Sequence, residues 1–365
     1  MAFSGVCRRL EERGVNFHVV AMGASAANIG RMQLAASRVF DLVQECPGVR
    51  RIDPTRWQRE DALTKAELTE IIARLKRLNP ATILTGAVSM VQYQIALAMR
   101  ASQVALRVIV YYDNMNMKVA DNPSRATVER FLNDTMTFMV PSLVIAKDLP
   151  DNCHSIAVVG HPSLDHFVAR VKELDKGATL EKHGYTRATV LVTYIGGYGQ
   201  GYENSFLQFT DGITSLTNEA SDDISLAFLI HTHPKMHMTL PRELPEYQIL
   251  ADKGLLQQVR ISQGDIPVEE AVAMSALVIS QASTVIPQAI FAGVPGFFMN
   301  QMHTKNTMVE AGLTRNLDSP EELVSIVRNI SNISPVSTEA ARQKTGIPSN
   351  AESRMLSFIP TAKTS

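Results

Sequence analysis

Residues 276–300, ALVISQASTVIPQAIFAGVPGFFMN, constrain the fold more than any other stretch, because successive pieces of them have sharply different local preferences. Residues 276–280 form an apolar run fit for a strand buried on both faces, 281–284 are short and polar, and 285–292 have helical character. Gly293-Val294-Pro295 then turns the chain into a second apolar strand at 296–299. Such a unit leaves a helix N-terminus open to an anion. Thr284 or Ser283 serves as N-cap, and Pro287 falls in the first helical turn, where its missing donor disrupts little. The amides of Val285 and Ile286 are expected to face outward beside the cap hydroxyl, a setting that suits a phosphate.

The same alternation runs along most of the chain. From residue 15 onward, β-like runs at 16–22, 81–85, 107–112, 137–140 and 155–159 are separated by amphipathic helices. In the helix predicted at 65–78, Leu68, Ile71, Ile72, Leu75 and Leu78 recur at three- and four-residue steps and face a core. A helix at 164–174 leads into a charged, glycine-containing stretch ending near Arg187, where we place a domain boundary. A second series follows, with strands at 189–194, 224–230, 257–261, 276–280 and 296–299 and a long helix at 205–218. At 365 residues the chain is too long for one typical core. The expectation is an α/β protein of two Rossmann-like lobes, 1–175 and 186–345, with an interdomain cleft. Residues 346–365 form a tail, in which 350–358 are able to dock back as a helix.

Composition narrows the partners. A net charge of -1 gives no global attraction for nucleic acid or for an acidic membrane, so an anionic ligand must be held by a local site. Cys7, Cys46 and Cys153 match neither a disulfide framework nor a metal-ligand spacing, which points to a reducing cytosol. No apolar stretch approaches the ~18 residues that span a bilayer, and the N-terminus lacks the order of a signal peptide. A cytoplasmic protein is expected. Exposed helices on α/β lobes keep a homodimer open beside a monomer.

Five loops at expected strand ends carry residues suited to chemistry. Gly196-Gly197-Tyr198-Gly199-Gln200-Gly201 lies between a strand and a helix, so its backbone, Gly197 included, is able to approach a ligand; the alternative is a flexible loop. His231-Thr232-His233-Pro234-Lys235, followed by His237, places imidazoles and an ammonium above one strand. Anion binding by Lys235 and a histidine is the better reading, since no second ligand cluster supports zinc, and a solvated loop is the bland one. In the first lobe, Tyr111-Tyr112-Asp113-Asn114 and Thr85-Gly86-Ala87 sit where open parallel sheets bind ligands, and Met22-Gly23-Ala24-Ser25 follows another strand. Asp113 is placed for general-base work or for forming a turn.

Together these pieces resemble the two-lobed GT-B superfamily, in particular the branch of UDP-N-acetylglucosamine 2-epimerases and related sugar-nucleotide transferases. Val158-Val159-Gly160-His161-Pro162-Ser163-Leu164-Asp165 is similar to that branch's interdomain Gly-Asn-Pro-x-x-Asp segment. His231-Thr232-His233-Pro234 resembles its His-containing loop, and residues 281–295 resemble its Asp-Ser-Gly-Gly loop, helix and Gly-x-Pro turn. MVEAGLTRNLDSPEEL, at 308–323, is typical of the last part of that domain. The resemblance implies that Ser283 and Thr284 bind a nucleotide diphosphate, that His233 or His231 lies near the phosphates or sugar, and that Glu310 and Gly312 belong to the same site.

Departures from the branch shape the expected reaction. Tyr111-Tyr112-Asp113-Asn114-Met115-Asn116-Met117 replaces its His-x-Glu-Ala-Gly-Leu-Arg, and Thr284-Val285 replaces its diglycine. His-Pro followed by Ser-Thr also resembles the paired motifs of some bacterial sialyltransferases and glycerophosphotransferases, leaving a CMP-, CDP- or UDP-linked donor open. Residues 3–13 resemble the fold's first helix and 15–22 its second strand. The resemblance thus implies transfer of a sugar or related group from a sugar nucleotide to an acceptor, without metal or cofactor, with Asp113 and His233 as catalytic groups. A sugar-nucleotide 2-epimerase or hydrolase, and a catalytically silent scaffold, are the alternatives.

Overall fold

The structure, a computed structural model, describes residues 3–21, 39–49, 62–105, 107–122, 124–134, 136–150, 155–197, 201–218, 225–237, 239–299 and 306–360. The Met22-Gly23-Ala24-Ser25 segment, Cys153 and the centre of the glycine loop, 198–200, lie outside the described residues. The chain divides into two compact units, Met1–Ser163 with Gly346–Ser365, and Leu164–Thr345. The division falls one helix before the expected 175–186 boundary. Helix Pro162–Glu173 reaches into the second unit, where Asp165 pairs with Arg342 at 2.6 Å and Lys172 bonds Thr338 at 2.7 Å.

In the first unit, β1 (Val19–Ala21) and β2 (Val39–Asp41) form a parallel pair. The larger sheet is parallel throughout and runs β3 (Thr82–Gly86), β4 (Arg107–Tyr111), β5 (Thr137–Val140) and β6 (Ile156–Val158) in spatial order. Side chains alternate across β4. Val108 and Val110 join one core with Ile71, Val91 and Phe131 from the helices, whereas Ile109 and Tyr111 join another with Val6, Leu10, Met355 and Leu356. Helices Ser4–Glu12 and Ala351–Leu356 supply that second cover, so the ends of the sequence meet on one sheet face. Arg9 and Glu352 add an ion pair at 2.6 Å. Helix Lys65–Leu75 starts at a reciprocal capping box between Thr64 and Glu67.

In the second unit, β7 (Val190–Ile195), β8 (Leu226–His231), β9 (Val259–Ser262), β10 (Leu277–Ser280), β11 (Gly296–Met299) and β12 (Asn316–Leu317) build a six-stranded parallel sheet. Its spatial order is β12-β11-β10-β7-β8-β9. The chain therefore moves outward from β7 through β8 to β9, then crosses to the other side of β7 and moves outward again. Val192 and Tyr194 pack with Phe206, Phe209 and Ile213 of helix Tyr202–Asn218 on one face; Leu191 and Leu229 pack with Ala271 and Met274 of helix Val268–Met274 on the other. Each such large apolar side chain, fully buried, contributes about 1.5–3 kcal/mol of transfer free energy.

The two strands not expected from the sequence, β2 and β12, are three and two residues long. Each is defined by its neighbour: β12 exists because Asn316 and Leu317 pair with Phe298 and Met299. Among the described residues, no helix is long and apolar enough to cross a membrane.

Candidate functional site

Strand order reverses between β7 and β10, the kind of place at whose carboxyl ends open parallel sheets bind ligands. Ser280, the last residue of β10, is 1% exposed. Its hydroxyl donates to the Ile195 carbonyl at the end of β7 (2.8 Å) and accepts from the Ser283 amide (3.3 Å). The loop after β10 is thereby tied to the strand beside it. Ser283 is half-buried and Thr284 exposed, and helix Val285–Ala292 begins immediately after them.

The helix start differs from expectation in one respect. The Val285 amide donates to the Ser283 hydroxyl at 3.1 Å and the Ile286 amide to the Ser283 carbonyl at 3.2 Å, so neither faces outward as an open donor. A short turn has satisfied them internally, which removes Val285 from the phosphate-binding amides. Thr284 occupies the N-cap position in helical geometry and its side chain makes no capping bond within the helix. Its hydroxyl remains on the exposed rim.

On the other side of β7, Gly196 donates its amide to the His231 carbonyl at 2.8 Å. A Cβ there would stand 3.1 Å from that oxygen and 3.1 Å from the His233 nitrogen, so only glycine lets the two loops meet without displacement. The loop after β8 is anchored in turn by Thr232, whose amide and hydroxyl both donate to the Ser262 carbonyl, at 2.9 and 3.0 Å. Gln263 holds the following stretch through the Thr239 carbonyl at 3.1 Å.

The two histidines of this loop divide in role. His231 is 7% exposed, and its Nε2 bonds the Ile266 carbonyl at 2.9 Å. Burial holds its pKa below the ordinary value, so the ring is a neutral donor committed to the fold. The expected phosphate contact from His231 is thus replaced by a structural one. His233 is half-buried, and its Nδ1 accepts from the Lys235 amide at 3.1 Å at the head of the short helix Pro234–Met236. Burial, with the Lys235 charge second, lowers its pKa as well. An accepting Nδ1 puts the proton of the neutral ring on Nε2. Lys235 itself is exposed.

Glu310, expected in the same set, is exposed at the end of helix Thr307–Glu310, which Asn306 caps through the Met308 amide at 2.8 Å. Gly312 follows it with a φ of 62°. The structure thus brings Gly197, His231, His233, Lys235, Ser283, Thr284 and Val285 to the carboxyl ends of three adjacent strands, β8, β7 and β10.

Asp113 belongs to the other unit, two residues past β4, and is exposed. Its backbone is held firmly. The Asp113 carbonyl and His161 Nε2 are 2.9 Å apart, and Asn114 Oδ1 accepts from the amides of Asn116 (2.9 Å) and Met117 (3.1 Å). The Tyr112 hydroxyl donates to the Met117 carbonyl at 2.9 Å and accepts from Asn122 at 2.8 Å. Among the described residues, no group of three or more His, Cys, Asp or Glu is placed to hold a metal ion.

Ser280 was absent from the sequence-level candidates, as were Tyr202 and Glu246 behind the glycine loop. A serine ending a buried apolar run is the one available signal for the first. For the pair, 44 residues apart, local sequence carries none.

Two parallel-sheet units of this kind share the fold of solved UDP-N-acetylglucosamine 2-epimerases. The solved structures it matches include a UDP-GlcNAc 2-epimerase from Neisseria meningitidis bound to UDP-GlcNAc, at 13% identity and a TM-score of 0.64, over 98% of this chain and 95% of that one. MnaA of S. aureus, solved with UDP, matches at 11% identity and a TM-score of 0.67, over 97% and 91% of the two chains. The UDP-GlcNAc 2-epimerase of Methanocaldococcus jannaschii matches at 13% and 0.63, over 98% and 96%. No family model and no curated protein matches the sequence. At such identities the likeness is one of fold.

Proposed function

We propose that the second unit binds the diphosphate of a sugar nucleotide at the strand-order reversal between β7 and β10, and that the protein transfers a glycosyl or related group from that donor. The observation that carries this reading is the reversal itself, with the exposed Thr284 and half-buried Ser283 beside a helix N-terminus at its mouth. Partial positive charge at the helix start and the Lys235 ammonium favour an anion there. Neutral His233 supplies an Nε2–H donor to a phosphate or glycosyl oxygen without carrying charge of its own, and Glu310 and the Gly197 backbone complete the nucleotide-binding set. In transfer, these groups stabilise the departing phosphate while Asp113 takes the proton of an acceptor hydroxyl.

A second reading, isomerisation or hydrolysis of a sugar nucleotide, is favoured by the fold of the three matched structures, two of which hold UDP-GlcNAc or UDP. The first unit supports transfer instead: the loop after β4 offers one exposed carboxylate among asparagines and methionines, which suits a single deprotonation.

Titration calorimetry with UDP, CDP and CMP tests the site. Binding is expected for at least one, and Ser283→Ala/Thr284→Ala is expected to weaken it about 10- to 100-fold, the range for lost hydrogen bonds to a charged group, with the melting temperature little changed. Absence of binding to all three nucleotides, or equal affinity in the double variant, refutes the assignment. NMR of products after incubation with UDP-GlcNAc separates an isomer from free sugar and from transfer to an added acceptor.

A further inference from the structure

We infer that Tyr202 and Glu246 act as a buried latch that fixes the Gly196-Gly197 backbone after β7 and so preorganises the nucleotide site. The inference rests in part on the proposed nucleotide binding, but its structural half stands on the second unit alone.

Tyr202 begins helix Tyr202–Asn218 directly after the glycine loop and is 8% exposed. Its hydroxyl donates to Glu246 Oε1 at 2.6 Å. Glu246 sits in the first turn of helix Pro245–Asp252 and is only 1% exposed, and its second carboxyl oxygen is buried with no hydrogen-bond partner among the described residues. Leaving an oxygen of a buried carboxyl unpaired costs free energy, and replacing such a polar pair by apolar groups of similar shape is often neutral or stabilising. The surroundings would accept that replacement, since Tyr202 packs in an aromatic cluster, 6.2 Å from Tyr194 and 6.3 Å from Phe206 between ring centroids.

Stability therefore gives no account of the pair, whereas the loop does. A Cβ at Gly197 would stand 3.1 Å from Cδ2 of the Tyr202 ring, so the Gly197 backbone rests directly on that ring. Burial raises the pKa of the Tyr202 hydroxyl far above its ordinary value, so it stays a protonated donor to Glu246. The bond to Glu246 thus fixes the ring on which the Gly197 main chain rests. Gly196, next along, is the residue that touches the His231–His233 backbone. Tyr202 and Glu246 are positioning residues: they fix where the Gly196 and Gly197 backbone stands.

Amide exchange at Gly197, followed by NMR in the full-length protein without ligand, reads the structural half. Tyr202→Phe and Tyr202→Phe/Glu246→Leu are expected to speed this exchange about tenfold, the equivalent of roughly one net hydrogen bond. UDP affinity falls by a similar factor, and the melting temperature of the double variant stays at or above that of the wild type. Glu246→Gln, which keeps the accepting oxygen, retains wild-type exchange and affinity. Unchanged exchange at Gly197 in the double variant overturns the inference, as does a fall in melting temperature that accounts for the whole effect. A wild-type protein that binds no nucleotide refutes the proposed function, while Gly197 exchange still decides the latch.

Discussion

The loop after β10 and the loop after β4 follow parallel strands in the same way, yet they are built on opposite plans. After β10, a buried serine ties the loop to β7 and Ser283 caps the Val285 amide, so that the exposed side chain at the helix start is that of Thr284. After β4, the Asp113 and Met117 carbonyls are taken by His161 and Tyr112 and the Asn116 and Met117 amides by Asn114, and what projects is one carboxylate, that of Asp113. A cradle for an anion needs many donors of modest strength, whereas a base needs one group in a fixed place. The difference between the loops fits the separate tasks proposed for them.

The sharpest way to break this contrast is to remove the carboxylate. If transfer is the reaction, Asp113→Asn keeps the loop and lowers turnover about 10²- to 10⁴-fold, the usual contribution of a positioned base, with nucleotide affinity unchanged in calorimetry. Retained turnover would reduce Asp113 to a turn former. A smaller effect follows from disturbing the frame of the β4 loop. Gly160 has φ 88°, accepts the Tyr111 hydroxyl at 3.0 Å on its carbonyl, and lies where a Cβ would be 2.5 Å from the Pro348 carbonyl. Gly160→Val should therefore destabilise the first unit by about 2–4 kcal/mol through strain and overpacking, read as an earlier denaturant transition, while UDP binding by the second unit persists.

The smallest effect concerns acid. His231 is held neutral by burial, so in the folded state its pKa lies below the ordinary value. Below about pH 6.5 the unfolded chain takes up a proton that the native ring does not. Stability supplied by the neutral ring is complete above that pH and declines as pH falls through the window between the unfolded and folded values. Melting curves from pH 8 to 5 should show this decline, and His231→Gln should flatten it.

Elements whose signal lies within a dozen residues were legible in the sequence. The run at 276–299 reads as strand, helix and strand, and the structure has Leu277–Ser280, Val285–Ala292 and Gly296–Met299. An apolar run too short for a helix, a three- to four-residue repeat and a terminating glycine are each local properties. The Ser280 bond to Ile195, by contrast, joins positions 85 residues apart, and nothing near either one announces it. The inward turn of His231 was hidden for the same reason, since its partner Ile266 becomes a neighbour only through the pairing of β8 with β9. Val285 shows a different limit. Its amide was expected at the surface on helix geometry alone, and one serine side chain, a local acceptor among several, captured it.

Assigning residues 346–365 to the same unit as 1–163 has a consequence for how the protein is made. The apolar face formed by Ile109, Tyr111 and Met139 is closed by Met355 and Leu356, which leave the ribosome only after the whole of Leu164–Thr345 has been synthesised. At about 5–20 residues per second, that interval lasts roughly 10–40 s. During it only the Val6 and Leu10 side of that face is covered, and the part that Met355 and Leu356 close stays exposed.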